Sequence, residues 1–405
     1  MMEDNNKSVE HGIVVGNLND DPSNHQQRKT GLNRETWSIL FLSSIFFLSY
    51  NGRSITGPLL PSLENDLGLT HADSGGLFIF LFLGYLVSLF GAVGVGVALI
   101  AVAGSHSLWA LRIGLIAVGL GSGLYPPSGI AALTKLAKPA HWGRAIGIHD
   151  IAPNLSIVAA PAVAGILVNW ASWRSVYFVF GTIAVLVGFA FIRFGPPVTG
   201  RGQIPDLATL KSLLSRSSLW IICILFTLGA AGMIGVYNLL PLYLTSIHDL
   251  DPSSANMIVA LSRVPGIGMA LVAGLITDLI GPRKVIAIVF ACTGLLNIMI
   301  GIESGTTLIV VIFIQAAVAT CFFPAGLAAV SKLFPFELRS LAIAISAAFS
   351  GCVGSGLISA LMGMLADKGM FNMGLILNGI IVLIGLPVLF FLKFERENAR
   401  VRSKY

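Results

Sequence analysis

Charge is scarce in this sequence. Only 11% of its 405 residues are Asp, Glu, Lys or Arg, where a soluble domain carries about a quarter, so a water-exposed globule is excluded. The four cysteines (Cys223, Cys292, Cys321 and Cys352) all fall in apolar stretches with no CxxC spacing. That excludes a disulfide framework or a thiolate metal centre and leaves them as small buried hydrophobes. The first thirty residues, MMEDNNKSVEHGIVVGNLNDDPSNHQQRKT, lack the apolar stretch of a signal peptide. G-x-S-x-G, H-E-x-x-H and the phosphate loop G-x-x-x-x-G-K-[ST] do not occur, so neither catalysis nor a metal or cofactor is expected. The ten-residue alternation of a membrane β-barrel is missing as well.

What the chain has is apolar length. Hydrophobic residues make up 55% of it, and the mean hydropathy is +0.85. Runs of roughly 20 apolar residues match helices crossing a core of about 30 Å. They lie near 37–60, 75–104, 108–134, 145–169, 173–195, 218–246, 254–276, 284–303, 307–332, 340–365 and 371–393. With the N-terminus inside and 75–104 counted as two crossings, the inner basic groups follow. They are Lys7, Arg28, Lys29 and Arg34; Lys135, Lys138 and Arg144; Arg193, Arg201, Lys211 and Arg216; Arg283 and Lys284; Lys332 and Arg339; and Lys393, Arg396, Arg400, Arg402 and Lys404. These are 20 of the 25 basic residues, the asymmetry of the positive-inside rule. The six tryptophans fall at span ends, as interfacial belts require. The net charge of +6 is therefore topological, and no nucleic-acid partner is expected. A multi-pass protein of the cell (plasma or inner) membrane, with both termini cytoplasmic, follows. Arg112, Arg174 and Lys368 sit near outer ends, where snorkelling is cheap. Only Arg53 and Arg263 lie deep.

A weak repeat runs through the chain. PPSGIAALTKL (126–136) matches FPAGLAAVSKL (323–333) at an offset of 197, and LLPSLENDLGLT (59–70) matches LLPLYLTSIHDLD (239–251) at 180 to 181. The expected organisation is a disordered tail 1–34, a helical bundle 35–195, a cytoplasmic linker 196–217, a second bundle 218–395 and a basic tail 396–405. Two similar bundles around a midplane site are a common transporter plan. The offsets differ because the first half is short between residues 70 and 126: GLITDLIGPRKV (274–285) has no charged counterpart in LFGAVGVGVALIAVAG (89–104). A single helix over 75–104 would invert all later segments against the charge rule, so two shortened crossings turning near Gly91, Gly94 and Gly96 are expected.

These residues carry a resemblance. GLITDLIGPRKV resembles the G-x-x-x-D-x-x-G-R-R/K loop of the major facilitator superfamily, with Gly274, Asp278, Gly281, Arg283 and Lys284 matching. VGLGSGLYPPSG (118–129) resembles its glycine-rich fourth helix and WASWRSVYFVFG (170–181) its entry to the sixth. The resemblance covers about 35–395. It implies an all-α polytopic membrane protein of two pseudo-symmetric six-helix bundles, with helices 2–3 shortened or fused and 11–12 spans. It also implies a loop at 274–284 that gates the cytoplasmic side. SYNGRSITGPLLPSLENDLGLTHADSGGLFIFLFLGYLVS most resembles the organic-anion branch, the anion:cation symporters. There a first-helix arginine binds the substrate's carboxylate or phosphate, and Arg53 occupies that position. Gly52 stands where that branch often has an acid.

The residues themselves point the same way. Arg53 lies 16 residues beyond Trp37, roughly 24 Å along a helix. A guanidinium binds carboxylate or phosphate bidentately, and a deep charge usually faces a pathway. Arg263 lies near the midplane of its own span, so each bundle offers one anchor. His149 and Asp150, with Asn154 one turn on, are candidates for carrying a proton, although Asp150 could equally neutralise either arginine. Tyr125, Tyr237, Asn238 and Gln315 are polar groups within spans that could bond substrate or another helix. The expected function is secondary transport of a small organic anion with proton coupling, by a monomer in the bilayer. An exporter of amphipathic or cationic compounds, and a non-transporting receptor or decayed paralogue, stand as alternatives.

Overall fold

The computed structural model describes residues 22–87, 94–123, 125, 129, 132–133, 136, 142–195 and 207–392. Among these the chain is almost entirely helical: α1 (Pro22–Ser54), α2 (Thr56–Leu67), α3 (His71–Val87), α4 (Gly94–Ala103), α5 (Leu108–Gly123), α6 (Trp142–Val168), α7 (Trp173–Phe194) and α8 (Leu207–Leu214). The second half holds α9 (Ser217–His248), α10 (Pro252–Ile280), α11 (Pro282–Ile300), α12 (Gly305–Leu333), α13 (Glu337–Asp367) and α14 (Phe371–Phe391). Among the described residues, eight helices (α6, α7 and α9 onward) are long and apolar enough to cross a membrane, and α3, α4 and α5 are shorter apolar helices. Large apolar side chains such as Leu271, Leu275 and Leu279 remain on the outer surface, as an all-α polytopic membrane protein requires.

Residues 75–104 contain two helices, α3 and α4. Gly94 is the first described residue of the second and Gly96 lies inside it, packed against Gly181 and Val185 of α7, whereas Gly91 lies outside the described residues. The first helix starts at Pro22, so the stretch 22–34 is helical where a disordered tail was expected; its Gln, Arg and Lys residues are good helix formers. Residues 1–21, the linker stretch 196–206 and the tail from 393 lie outside the described residues.

The deformations of the two halves match. Pro58 has no N–H for the Ser54 carbonyl, and α1 gives way to α2 at Ile55. At the repeat offset of 180, the stretch 51–55 corresponds to the π segment Ala231–Gly235 of α9. Both continuations contain a proline, Pro61 and Pro241, and end on a left-handed residue, Gly68 and Asp249. A second π segment, Ser350–Leu357, interrupts α13.

In the half of the molecule distal to the start of α1, one apolar core joins both bundles, from Leu59 and Leu77 to Leu240 and Phe371. Towards the other side it divides into a cluster around Leu42 and Leu133 and another around Phe290 and Phe322. Glycines close the distal half by letting backbones touch. A Cβ on Gly75 would stand 2.2 Å from the Ser359 carbonyl, one on Gly363 2.1 Å from the His71 carbonyl, and one on Gly57 2.8 Å from the Asn238 carbonyl. Small residues permit such approaches between membrane helices. Asp367 at the end of α13 accepts from the backbone N–H groups of His71 (2.7 Å) and Ala72 (3.0 Å). It thereby caps α3 across the bundle boundary, where the helix dipole favours an anion. The Asn256 amide donates to the Pro58 carbonyl at 3.0 Å. Arg112 and Arg174 are paired on this side with Asp73 and Asp66 rather than merely snorkelling.

Asp367→Ala and Gly75→Val are each expected to part the bundles distally. A cysteine placed at Asn238, in a background without the native cysteines, should label several-fold faster with an impermeant thiol reagent added on that side. Equal labelling of parent and variants would refute the seal.

Candidate functional site

Where the joined core ends, a small, partly open cavity lies between the bundles. The first bundle contributes Tyr50, Arg53 and Ser54 from α1, Phe82 from α3 and Ile157 from α6; the second contributes Met233, Ile234, Tyr237 and Asn238 from α9 and Arg263 from α10. The helix deformations create this lining. The break at Ile55 follows Arg53 and Ser54 directly, and the π segment turns Met233 and Ile234 inward, since an extra residue in a helical turn shifts the faces beyond it. Gly351 in the α13 π segment leaves space for Phe82: a Cβ there would stand 2.5 Å from its Cδ1. The Cys352 Sγ lies 3.3 Å from the Phe82 carbonyl.

Arg263 is 4% exposed. Its Nε, Nη1 and Nη2 are all buried and have no hydrogen-bond partner among the described residues. Its guanidinium carbon lies 4.9 Å from the Tyr237 ring centroid. Arg53 repeats the arrangement over Tyr50 at 4.4 Å. A cation over an aromatic face gains about 0.5–2 kcal/mol, far less than an ion loses on leaving water. Tyr237 donates its hydroxyl to the Ile157 carbonyl at 3.2 Å, across the boundary, and the Asn238 amide nitrogen lies 3.4 Å from the Ser359 hydroxyl. None of the described lining residues is acidic.

Of the residues singled out in the sequence, Arg53, Arg263, Tyr237 and Asn238 come together here. Gln315 and Tyr125 do not. Gln315 is fully buried within the second bundle and donates to the Gly232 carbonyl at 2.8 Å. Asn297 donates to the same carbonyl (3.2 Å) and Asn378 to that of Ala231 (3.1 Å), so three amides serve carbonyls of the π segment. Tyr125 lies within the first bundle, where its hydroxyl donates to the Leu42 carbonyl and stands 3.0 Å from His149 Nε2. Phe46 stacks on both rings, at 4.9 Å and 4.6 Å. His149 is buried and, like the half-buried Asn154, does not line the cavity; the side chain of Asp150 lies outside the described residues.

Gly281 joins α10 to α11 at φ 87°, a conformation that requires glycine. Gly274 and Asp278 lie in α10, and Lys284 opens α11 beside Arg283. Asp278 is exposed without an ion-pair partner among the described residues, and Arg283 stands 5.8 Å over the Phe390 ring.

Sequence reasoning missed Tyr50, Ser54, Phe82, Ile157, Met233 and Ile234. For two of them a signal existed: Met233 is the repeat mate of Arg53 at an offset of 180, and Phe82 that of Arg263 at 181.

The family model described as Major Facilitator Superfamily matches residues 42–268 and again 238–404. A probable sugar efflux transporter of Helicobacter acinonychis (strain Sheeba) is 25% identical over 265 residues, 63% of this chain and 64% of that protein. The chain thus spans somewhat less than two thirds of that relative's length. A probable L-galactonate transporter of Escherichia coli (strain K12) is 21% identical over 295 residues, 64% of this chain and 65% of that protein. Among solved structures, a bacterial homologue of the human lysosomal transporter Spinster, inward-facing and occupied, superposes with a TM-score of 0.73 at 14% identity, covering 89% of this chain and 97% of its own. A point mutant of the nucleoside transporter NupG gives 0.73 at 14% identity, with 88% and 99% covered. At that identity these likenesses concern the fold.

Arg263→Met is expected to stabilise the empty protein, because removing an unpaired buried charge relieves its desolvation. About 2 kcal/mol, or a few degrees in Tm, is the scale. A thermal melt in detergent checks this, and a lower Tm would mean that the guanidinium is satisfied.

Proposed function

Because the chain belongs to the Major Facilitator Superfamily, we propose that it is a secondary transporter of a small organic anion, working by alternating access with proton coupling. One observation carries this reading: the Arg263 guanidinium, buried and without hydrogen bonds among the described residues, lines a cavity that also holds Arg53 from the opposite bundle. Guanidinium keeps its charge at any usable pH. A carboxylate bridging Arg53 and Arg263 would supply the acceptors that Arg263 lacks among the described residues and draw the bundles together. That is how binding couples to rocking around a central site. The likeness of SYNGRSITGP to the organic-anion branch supports the same assignment for Arg53.

The conformation fits one stage of such a cycle. The core is continuous distally and divided on the side where α1 begins. With the positive-inside rule placing the termini in the cytoplasm, this is an inward-facing arrangement, the state named for the Spinster homologue. Coupling to protons is assigned to His149 with Asp150 and Asn154 on α6, the helix whose Ile157 carbonyl receives the Tyr237 hydroxyl. A cationic cargo fits less well, since none of the described lining residues is acidic.

Proteoliposomes containing a pH-sensitive dye test the proposal. Among benzoate, lactate, hexanoate and galactonate, at least one should drive proton flux. Arg53→Ala and Arg263→Ala should each reduce that flux at least tenfold. Flux from none of these acids, or flux unchanged in both variants, would overturn it.

A further inference from the structure

The cavity is paired by the internal repeat in an uneven way. Arg53 and Met233 are repeat mates, as are Phe82 and Arg263, and all four line the cavity. In each pair one half of the chain supplies a cation and the other an apolar side chain. A pseudo-symmetric site thus acquires two charged corners and two apolar ones. Ile157 and Ile234 extend the apolar part.

Groups able to serve hydroxyls are few. Tyr237 already gives its hydroxyl to the Ile157 carbonyl, and the Asn238 amide nitrogen is engaged with Ser359. Beside the two arginines, the other polar groups of the described lining are the Ser54 hydroxyl, the Asn238 amide oxygen and the Tyr50 hydroxyl. A hexonate brings five hydroxyls. Each one that is buried without a partner lowers affinity about tenfold, whereas a methylene or aromatic carbon buried against Phe82 and Met233 raises it.

We propose that the anion this site prefers is amphipathic: a carboxylate for Arg53 and Arg263, joined to an aromatic or aliphatic body seated on Phe82, Met233, Ile157 and Ile234. This rests on the anion-transport reading and narrows it. It also separates this chain from relatives named for sugar efflux and L-galactonate transport, whose cargoes would meet too few polar groups here.

The test is a competition for binding on the full-length protein in detergent, followed by thermal shift. 3-Phenylpropionate and hexanoate are set against gluconate and galactonate, which carry the same carboxylate. The amphipathic acids should bind at least tenfold tighter. Phe82→Ser and Met233→Gln should narrow that ratio to within threefold, while Arg263→Ala weakens both classes alike. Gluconate or galactonate binding as tightly as 3-phenylpropionate would overturn the amphipathic assignment and leave the anion reading standing. If none of the four acids binds, both fall. A ratio unchanged in Phe82→Ser and Met233→Gln would show that the preference arises elsewhere, and that too refutes the inference.

Discussion

A buried guanidinium with no acceptor among the described residues is the constraint on which the rest of this molecule depends. Arg263 can neither release its proton nor turn into solvent, and its Tyr237 contact covers only one face of the ion. Such a group is costly in a bilayer. The fold therefore holds it on scaffolding that does not rely on the charge: the apolar core that joins the bundles distally, and the tyrosine and asparagine bonds that fix its neighbours. The unsatisfied charge makes the empty state strained in one respect and poised in another. On the proposed reading, an anion reaching Arg263 would remove a cost that the protein bears in its absence, and the binding energy would be concentrated at the boundary between the bundles.

The backbone around the cavity serves the same end. Three helices lose regularity beside it, α1 at Ile55, α9 at Ala231–Gly235 and α13 at Ser350–Leu357. The deformations of α1 and α9 re-aim lining side chains, that of α13 makes room for Phe82, and such breaks free carbonyls that must be answered in hydrocarbon. For α9 the answer is the trio Asn297, Gln315 and Asn378. These amides are part of the site's architecture without touching its space. Seen from the sequence alone, Gln315 has the same standing as Asn238, a polar group in an apolar span, and nothing local separates the one that feeds a carbonyl from the one that lines the cavity.

That contrast sets out what was legible. A charge inside an apolar run stands out because hydrocarbon penalises it, so Arg53 and Arg263 could be found, and the repeat then implied that they come from opposite bundles. The helices at 71–103 could be counted because one crossing would have reversed the charge bias downstream. The seal was not legible, because glycines such as Gly75 and Gly363 carry no chemistry; only the carbonyls opposite them give them meaning. The apolar lining was hidden for a related reason. Phe82 and Met233 look like any other core residues until their repeat mates are known to be arginines.

Gly52 sharpens the last point. In the organic-anion branch an acid often precedes the first-helix arginine, and its absence here looked like a missing part of the site. In the structure a Cβ at position 52 would stand 3.1 Å from a Val95 methyl and 3.3 Å from a Val118 methyl. Position 52 therefore points into the first bundle, against α4 and α5, while Arg53 points to the cavity. A carboxylate there would lie on the wrong side of the helix to pair with cargo and would enter a tightly packed apolar seam. Val95 of α4 and Val118 of α5 close that seam. This chain packs its first helix closely against α4 and α5, and glycine at position 52 makes that approach possible.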